Sequence, residues 1–548
     1  MKINFRSILQ FIDQNILLGF SLFLLIFIPL YPKWPMFDVL PGYNVRVRLE
    51  DFLVLLACLI WFVQLLRGKI KLAKHPLFKP VAIYLVIGFL STLSAIFITK
   101  TVTHESYQIM KLYFHLFRRV EYFSLLFIFF SGLYKKEQIK LFIGALITTV
   151  IGVTIYGFGQ KYMYWPAYST MNREFAKGIV LYLTEHARVL STFGGHYDLA
   201  AYTMITLAIL IPLSFIVKNK LLKILLFIVS IAEYWLLNLT ASRTSFAAFV
   251  VSITVVFVLL SFKKTIWWAL SRWLMVMLFS FAVMLTIGPM SERFSQVIKL
   301  DGVKSFFQKS FKKEPPTNGI AYRDDLSIEQ QLSIVADKSD TPPSSVKPGD
   351  EKTPLLKPED VYIDLPQASE SATTDATGSA TGATGGGGYS ENALKYGLST
   401  GIRLDALWPR AIAGFLRNPL LGSGYSTLVK EKVWEQTTAE STDNDFLRML
   451  GETGLLGFIT FNWIFILSGI LFYKAFRKTN NLFYAGLFAS GIGVLIGLIV
   501  NASYIDIFES SKVAYTMWSL IGILTSLAVL ELADSKKVLV KSRKIKND

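Results

Sequence analysis

Residues 221–262 read LLKILLFIVSIAEYWLLNLTASRTSFAAFVVSITVVFVLLSF, two apolar runs separated by a short polar segment. Each run has the roughly 20 residues that a helix needs to cross the ~30 Å apolar core of a bilayer. Backbone N–H and C=O groups find no partners in lipid, so a run that crosses must be helical. The stretch therefore predicts two consecutive membrane-spanning helices.

Ten further runs of the same kind occur along the chain. Of the 548 residues, 53% are hydrophobic and only 17% are charged, a balance that excludes most soluble enzymes. The sequence predicts an all-α polytopic membrane protein of about twelve transmembrane helices. The predicted spans are 15–32, 51–67, 80–99, 119–134, 139–159, 197–217, 221–240, 243–262, 265–288, 453–473, 481–501 and 512–531.

The basic residues predict an orientation for these helices. Lys and Arg number 56 against 39 Asp and Glu, a net charge of +17. The loops after the even-numbered spans are basic, so these loops and both termini are expected on the cytoplasmic side. Because topology explains the basic surplus, no nucleic-acid partner is expected. The single cysteine, Cys58, excludes an intrachain disulfide and a CxxC redox motif.

Hydropathy divides the chain into three parts. Residues 1–288 hold spans one to nine, residues 289–452 form a large external loop, and residues 453–548 hold the last three spans and a basic cytoplasmic tail. Residues 314–390 of the loop are rich in Pro, Gly, Ser, Thr and acidic residues, a composition that cannot bury enough apolar surface to fold. We predict a disordered insert there and a helical part at about 400–450.

Arginines on the predicted external side oppose the positive-inside rule. Arg46 and Arg48 lie in NVRVRLEDFL before the second span, and Arg118 and Arg119 precede the fourth in a loop that also holds two histidines. Contact with anionic lipid headgroups would explain each pair. An anionic ligand is the functional alternative, because an arginine side chain binds phosphate oxygens through two donors at once.

Two more arginines lie near predicted helix starts. Arg188 lies in EHARVLSTFGGHYDLAAY, where the glycine pair permits a turn and Asp198 can cap the sixth span. Arg243 occupies the first turn of the eighth span, after Ser242 or Thr240 as cap, where a cation opposes the helix dipole. Both positions suit an anion bound at a helix N-terminus. A structural turn at Arg188 and a snorkelling side chain at Arg243 are the alternatives.

Beyond the insert, two stretches are predicted to be ordered. In TGIRLDALWPRAIAGFLRNPLLGSGY, Arg403 precedes a helix, Pro419 ends it, and Gly422 and Gly424 form a turn. The second stretch, STDNDFLRMLGETGLLGF, leads into the tenth span.

Polar residues open this second stretch. Ser441, Thr442 or Asp443 is expected to cap its helix, and Arg448 is expected to pair with Asn444 or Asp445 for structural reasons. Elsewhere, Glu233 lies inside the seventh span. An intramembrane carboxylate has either a functional role or a neighbouring arginine as its partner.

Taken together, these motifs resemble the O-antigen ligase and polymerase family of bacterial membrane glycosyltransferases. The resemblance rests on the order and spacing of five segments: Arg188 to Gly194, Thr240 to Arg243, Arg403, Pro419 to Gly424, and Asp443 to Gly457. It covers residues 180–460 by motif and the remainder by span pattern. The expected fold is GT-C-like, in the bacterial cytoplasmic (inner) membrane.

The resemblance implies a reaction and a site. Family members transfer or polymerise glycan from an undecaprenyl-pyrophosphate donor at the outer face, during O-antigen or exopolysaccharide synthesis. Expected partners are this lipid-linked oligosaccharide, a glycan or lipid acceptor, and membrane lipids, with no cofactor and no metal. The implied catalytic residues are Asp443, Arg243 and Arg403, and the implied diphosphate-binding residues are Arg188, Arg243, Arg403, Arg46 and Arg48. Ligases often carry His at the position of Asp443, which is taken to activate the acceptor, and the Asp version resembles polymerases.

Other functions fit the same layout. Twelve spans with both termini inside are also typical of secondary transporters, although no internal repeat is evident here. A flippase for lipid-linked oligosaccharides and an enzyme that glycosylates protein are further alternatives. Covalent transfer of a lipid-linked glycan would separate the enzymes from the transporters.

Overall fold

The computed structural model describes residues 5–38, 46–70, 72–171, 175–184, 187–286, 288, 398–428 and 441–547. The predicted insert at 314–390 lies outside these residues. The helices are α1 Phe5–Leu30, α2 Leu49–Leu66, α3 Phe78–Phe97, α4 Ser106–Gly132, α5 Ile139–Tyr162, α6 His196–Ile216, α7 Lys220–Leu239, α8 Arg243–Ser261, α9 Ile266–Thr286, α10 Leu398–Ile402, α11 Trp408–Arg417, α12 Asp445–Lys478, α13 Leu482–Ala502 and α14 Ser511–Asn547. A π-helical turn, Arg403–Leu407, joins α10 to α11.

Short elements complete the described chain. Strands β1 (Phe37–Asp38) and β2 (Arg46–Val47) pair antiparallel between α1 and α2. Single 3₁₀ turns lie at Leu72–Lys74, Lys136–Gln138 and Phe175–Lys177.

In the described part of the chain, eleven helices are long and apolar enough to cross a membrane. They match the predicted spans except the fourth, and the protein is an all-α polytopic membrane protein. At 27 residues α4 is also long enough to cross, but it carries Arg118, Arg119 and Glu121 among its apolar residues. The predicted start of this span at residue 119 was wrong. Arg118 and Arg119 lie within the helix because Asp51 of α2 and Glu509 of the loop between α13 and α14 bind them.

The interior of the helix bundle is built around α6 and residues 511–535 of α14, which are almost entirely buried, whereas α2 and α9 expose most of their surface. Small residues let α13 approach α8. A Cβ added to Gly493 would lie 2.5 Å from Val256 Cγ2, and one added to Gly497 would lie 3.1 Å from Ser252 Cβ. Such close backbone approach is typical of helices that pack within membranes.

Helix α12 is broken at Gly454, whose φ of 65° and ψ of −167° are not helical. The turn after α11 closes this break. Ser423 and Gly424 donate backbone hydrogen bonds to the carbonyl oxygens of Gly451 and Glu452, and residues after the break donate to the turn, Leu455 to Pro419 (2.8 Å) and Leu456 to Leu420 (3.2 Å). The predicted glycine turn is confirmed, with φ of 70° at Gly422 and 99° at Gly424.

The helices define two ends of the bundle. At one end of the bundle, α1 and α13 finish and α2, α6, α8, α12 and α14 begin. We call this the site end. The other is the opposite end. Hydrogen bonds connect the segments at the site end. Lys512, at the start of α14, donates to the carbonyl oxygens of Pro29, Tyr31 and Thr192. In the interior, Glu233 accepts a hydrogen bond from the hydroxyl of Thr206 of α6, and an arginine partner was one of the two alternatives for this carboxylate.

Candidate functional site

Two of the predicted site residues form an ion pair at the site end. Nη2 of Arg403 lies 2.8 Å from Oδ2 of Asp443, and the Arg403 guanidinium stacks at 4.5 Å over the Tyr504 ring. The Arg403 side chain is only 4% exposed, whereas that of Asp443 is 32% exposed. The accessible member of the pair is therefore the carboxylate, and the arginine holds it from the protein side.

Asp443 does not cap α12. The cap is Asn444, whose side-chain oxygen accepts hydrogen bonds from the backbone N–H groups of Phe446 and Leu447, both at 3.0 Å. Asp443 instead adopts a left-handed conformation, with φ of 51°. The expected cap at Ser441, Thr442 or Asp443 was thus off by at least one residue, and the Asp443 carboxylate stays available for another role.

The segment around Asp443 is held by Asp506, from the loop between α13 and α14. The Asp506 carboxylate accepts from the backbone N–H of Thr442 at 2.7 Å and of Asn444 at 2.8 Å, the residues on either side of Asp443. The Ser441 hydroxyl lies 2.6 Å from Asp443 Oδ1 and 3.0 Å from the Asp506 carboxylate, and its one proton is donated to either of them. Burial raises the pKa of Asp506, and Arg448 opposes that rise. Two backbone donors and one cation thus fix the position of Asp443.

A buried charged network continues from Asp506 through Arg448. This arginine donates to Asp506 at 3.2 Å and to Glu452 at 3.3 Å, and it lies 3.8 Å from Glu509. Glu509 also accepts from Arg119 of α4. Burial alone would raise the pKa of Glu509, but Arg119 and Arg448 lower it to about 2. In place of the expected Asn444 or Asp445, the Arg448 side chain pairs with Glu452, one turn later in α12, and with two carboxylates of the loop between α13 and α14.

A pocket of about 230 Å³ adjoins this network. Its described lining includes the cations Lys33, Arg48 and Arg118 and the carboxylates Asp198 and Glu509. Its full described lining is Lys33, Arg48, Phe114, His115, Arg118, Tyr122, Thr170, Asp198, Glu509, Ser510 and Ser511. We call it the cationic pocket. His115 and Arg118, expected in a loop, reach it from within α4.

Neighbouring carboxylates hold the cations of the pocket in place. Lys33 Nζ donates to Glu50 at 2.8 Å, and Arg48 lies 4.0 Å from the same carboxylate. Arg118 donates to Asp51 and to Glu121, both at 2.8 Å. Burial lowers the pKa of Lys33, and Glu50 opposes that change. Cations that are already in place at a pocket can receive an anion without much reorganisation.

The remaining predicted residues lie in three different settings. Arg188 is buried and shares a 2.6 Å hydrogen bond with Nε2 of His196, at the start of α6. Arg46 donates to the carbonyl oxygen of Ala176 at 2.8 Å. Arg243 is exposed in the first turn of α8, which Ser242 caps as expected. None of these three is among the described residues that line the cationic pocket, so their shared role in diphosphate binding stays a prediction.

Sequence reasoning missed Asp506, Glu509 and Lys33 as members of the site. One signal was present: the loop SYIDIFES (503–510) places two carboxylates between apolar spans, on the side where unpaired external arginines were expected. Charges at membrane depth are paired or functional. If the acidic and basic residues predicted on the external side had been considered together, they would have suggested the buried charged network.

Comparison with known families supports the resemblance. Residues 390–462 match the family model described as O-antigen ligase, and this segment contains Arg403, the glycine turn and Asp443. No curated protein matches the chain. The match supports a role in polysaccharide or O-antigen assembly and a glycosyltransferase-like activity. Residues 390–462 of this multi-pass membrane protein are therefore similar to the O-antigen ligase family.

Proposed function

We propose that this protein transfers or polymerises glycan from an undecaprenyl-pyrophosphate-linked donor at the outer face of the cytoplasmic membrane. The observation that carries the proposal is the ion pair between Arg403 and Asp443. Both residues lie in the segment that matches the O-antigen ligase family, and the carboxylate is the exposed partner.

In this reaction an acceptor hydroxyl attacks the anomeric carbon of the donor sugar. The bond from that carbon to the phosphate oxygen breaks, and the pyrophosphate leaves with the electron pair. Asp443 accepts a hydrogen bond from the attacking hydroxyl and takes up its proton as the new glycosidic bond forms. Arg403 keeps the carboxylate oriented toward the acceptor.

The leaving group requires cations more than it requires an acid, because a diphosphate already carries its charge well. Arg48 and Arg118 line the cationic pocket and can bind phosphate oxygens through paired donors. Lys33 adds a third positive charge there. Exposed Arg243 is proposed to contact the donor as it enters. The site end is accordingly proposed to face the outer side.

The test uses the purified full chain in proteoliposomes with a fluorescent undecaprenyl-pyrophosphate glycan and its acceptor. Two readouts are taken together: covalent transfer by mass spectrometry, and movement of the label between leaflets by quenching. We expect transfer, and we expect Asp443→Asn to slow it at least about a hundredfold while Asn444→Ser, which keeps a capping oxygen, leaves it intact. Translocation without covalent transfer would instead establish a flippase or transporter.

A further inference from the structure

A second pocket, of about 280 Å³, lies at the opposite end of the bundle, away from the proposed catalytic residues. Its described lining comes from the segment after α2, the end of α4 and the second half of α14: Lys69, Ile70, Leu72, His75, Phe127, Phe130, Ser131, Leu133, Tyr134, Ser526, Val529 and Leu530. Most of these side chains are apolar or aromatic. A pocket of this kind, at the ends of membrane-spanning helices, is suited to an amphiphile.

One buried polar group in this wall points to a ligand. His75 is 5% exposed, and its Nε2 has no hydrogen-bond partner among the described residues. Its Nδ1 accepts a hydrogen bond from the backbone N–H of Leu77 at 3.0 Å. Because Nδ1 is the acceptor, the neutral ring carries its proton on Nε2. The wall therefore contains a buried N–H donor that requires an acceptor oxygen.

The surroundings fix the ring in this orientation. Phe130 and Phe127 pack against His75 with ring centroids 4.1 Å and 4.8 Å away. The hydroxyl groups of the wall are already used, since Ser131 donates to the carbonyl oxygen of Phe127, Ser526 to that of Leu133 and Tyr134 to the side-chain oxygen of Asn15. Among the described neutral side chains of the wall, His75 Nε2 is thus the donor left for a ligand.

The rim of the pocket is basic. Lys69 lines it, and both Lys69 and Arg67 bind the single carboxylate of Asp13. One carboxylate between two cations leaves a positive charge. The segment from Arg67 to Lys79 contains five Lys and Arg and no acidic residue. Basic segments beside membrane helices attract anionic headgroups.

We propose that this pocket binds one anionic glycerophospholipid. An ester or phosphate oxygen of the lipid accepts the hydrogen bond from His75 Nε2, the headgroup phosphate lies near Lys69, and an acyl chain packs against Phe127, Phe130 and Leu530. An apolar wall, one buried donor and a basic rim match the three parts of such a lipid. This site is separate from the proposed glycan transfer and does not depend on it.

The test distinguishes the role of His75 Nε2 from that of Nδ1. The full chain is purified in detergent and titrated with phosphatidylglycerol or phosphatidylcholine, and native mass spectrometry counts the bound lipid. In His75→Asn the side-chain oxygen can replace Nδ1 as acceptor for Leu77 but provides no donor at Nε2. In His75→Gln the amide nitrogen reaches the Nε2 position. We expect His75→Asn to weaken phosphatidylglycerol binding about tenfold and His75→Gln to weaken it less.

A measurement on the unaltered chain keeps the proposal testable if both variants fold poorly. Phosphatidylglycerol with a photoreactive group on its acyl chain should label peptides that contain Phe130 or Leu530, and unlabelled phosphatidylglycerol should compete better than phosphatidylcholine. Labelling that is spread evenly along the whole bundle would overturn the proposal. So would wild-type binding by His75→Asn, which would indicate that a water molecule satisfies Nε2.

Discussion

Arg403 and Asp443 form an ion pair, 2.8 Å between Nη2 and Oδ2, in which the carboxylate is partly exposed and the guanidinium is buried. The same guanidinium stacks on Tyr504, so the aromatic ring and the carboxylate fix it from two directions. The geometry couples the function of the two side chains. An arginine so enclosed acts on the reaction through the residue that it holds.

The first prediction concerns this coupling. Arg403→Lys keeps a charge but loses the planar group that stacks and donates, so we expect kcat for glycan transfer to fall at least about tenfold. The double variant Arg403→Gln/Asp443→Asn should be little slower than Asp443→Asn alone, because residues that act as a unit are not additive. Independent, additive losses in kcat/KM would show that Arg403 contacts the donor separately.

The second prediction concerns Asp506. Asp506→Asn keeps one acceptor oxygen and replaces the other by a donor, so one of the two backbone N–H groups beside Asp443 loses its partner. We expect kcat to fall while KM for the donor changes little, since the base is misplaced and the cationic pocket is not. Glu137→Gln, an exposed change at the opposite end, is the control. A rise in KM alone would contradict this role.

The third prediction concerns Arg243. Its exposure at the start of α8 lets it bind a ligand directly, and a lysine there would provide a point charge in place of two parallel donors. We expect Arg243→Lys to lose most transfer activity with an unchanged melting temperature. Arg477→Lys, also exposed but at the opposite end, should behave as wild type. Full turnover by Arg243→Lys would favour contact with lipid headgroups.

The fourth prediction concerns the break in α12. An alanine at Gly454 would have to adopt a φ of 65° with its Cβ against the backbone of Leu420. We expect Gly454→Ala to destabilise the protein by about 2 kcal/mol or more, measured as a lower melting temperature in detergent. Gly469→Ala lies on the same helix, where the nearest atom to an added Cβ is 3.9 Å away. Equal melting temperatures for the two variants would contradict the role of the break.

The fifth prediction concerns residues 325–390, which lie outside the described part of the chain. Their composition offers no apolar core, so a short Gly/Ser linker should replace them without loss of transfer activity. Activity and elution volume are measured on the same preparation. A deleted protein that elutes normally but transfers no glycan would mean that the segment binds substrate.

Hydropathy predicted most of this fold, because a spanning helix must be apolar along its length. It failed where polar side chains find partners inside the protein. The start of α4 was misplaced because Arg118 is neutralised by Asp51 of α2 and Arg119 by Glu509 of the loop between α13 and α14, contacts that no local window of sequence contains. The sequence motifs identified Asp443 and Arg403 as two separate candidates. They could not predict the ion pair, because it depends on how the turn at Arg403 and the segment before α12 meet in the folded protein.

The cap of α12 shows the same limit at a single residue. Several polar residues precede the helix, and propensity ranks them almost equally. The choice falls on Asn444 because Asp506, far along the chain, binds the backbone on both sides of Asp443. Local sequence therefore predicted that a cap exists, and a tertiary contact decided which residue forms it.

The residues that hold the Asp443 segment and the loops beside it are made late in the synthesis of the protein. Asp506 follows α13, and Lys512, which binds the carbonyl oxygens of Pro29 and Thr192, follows it at the start of α14. A ribosome makes these residues after nearly all the helices that they join. The early helices must therefore enter the membrane with this end still incomplete, and a nascent chain that stops before Asp506 holds Arg403 and Asp443 without the contacts that position Asp443.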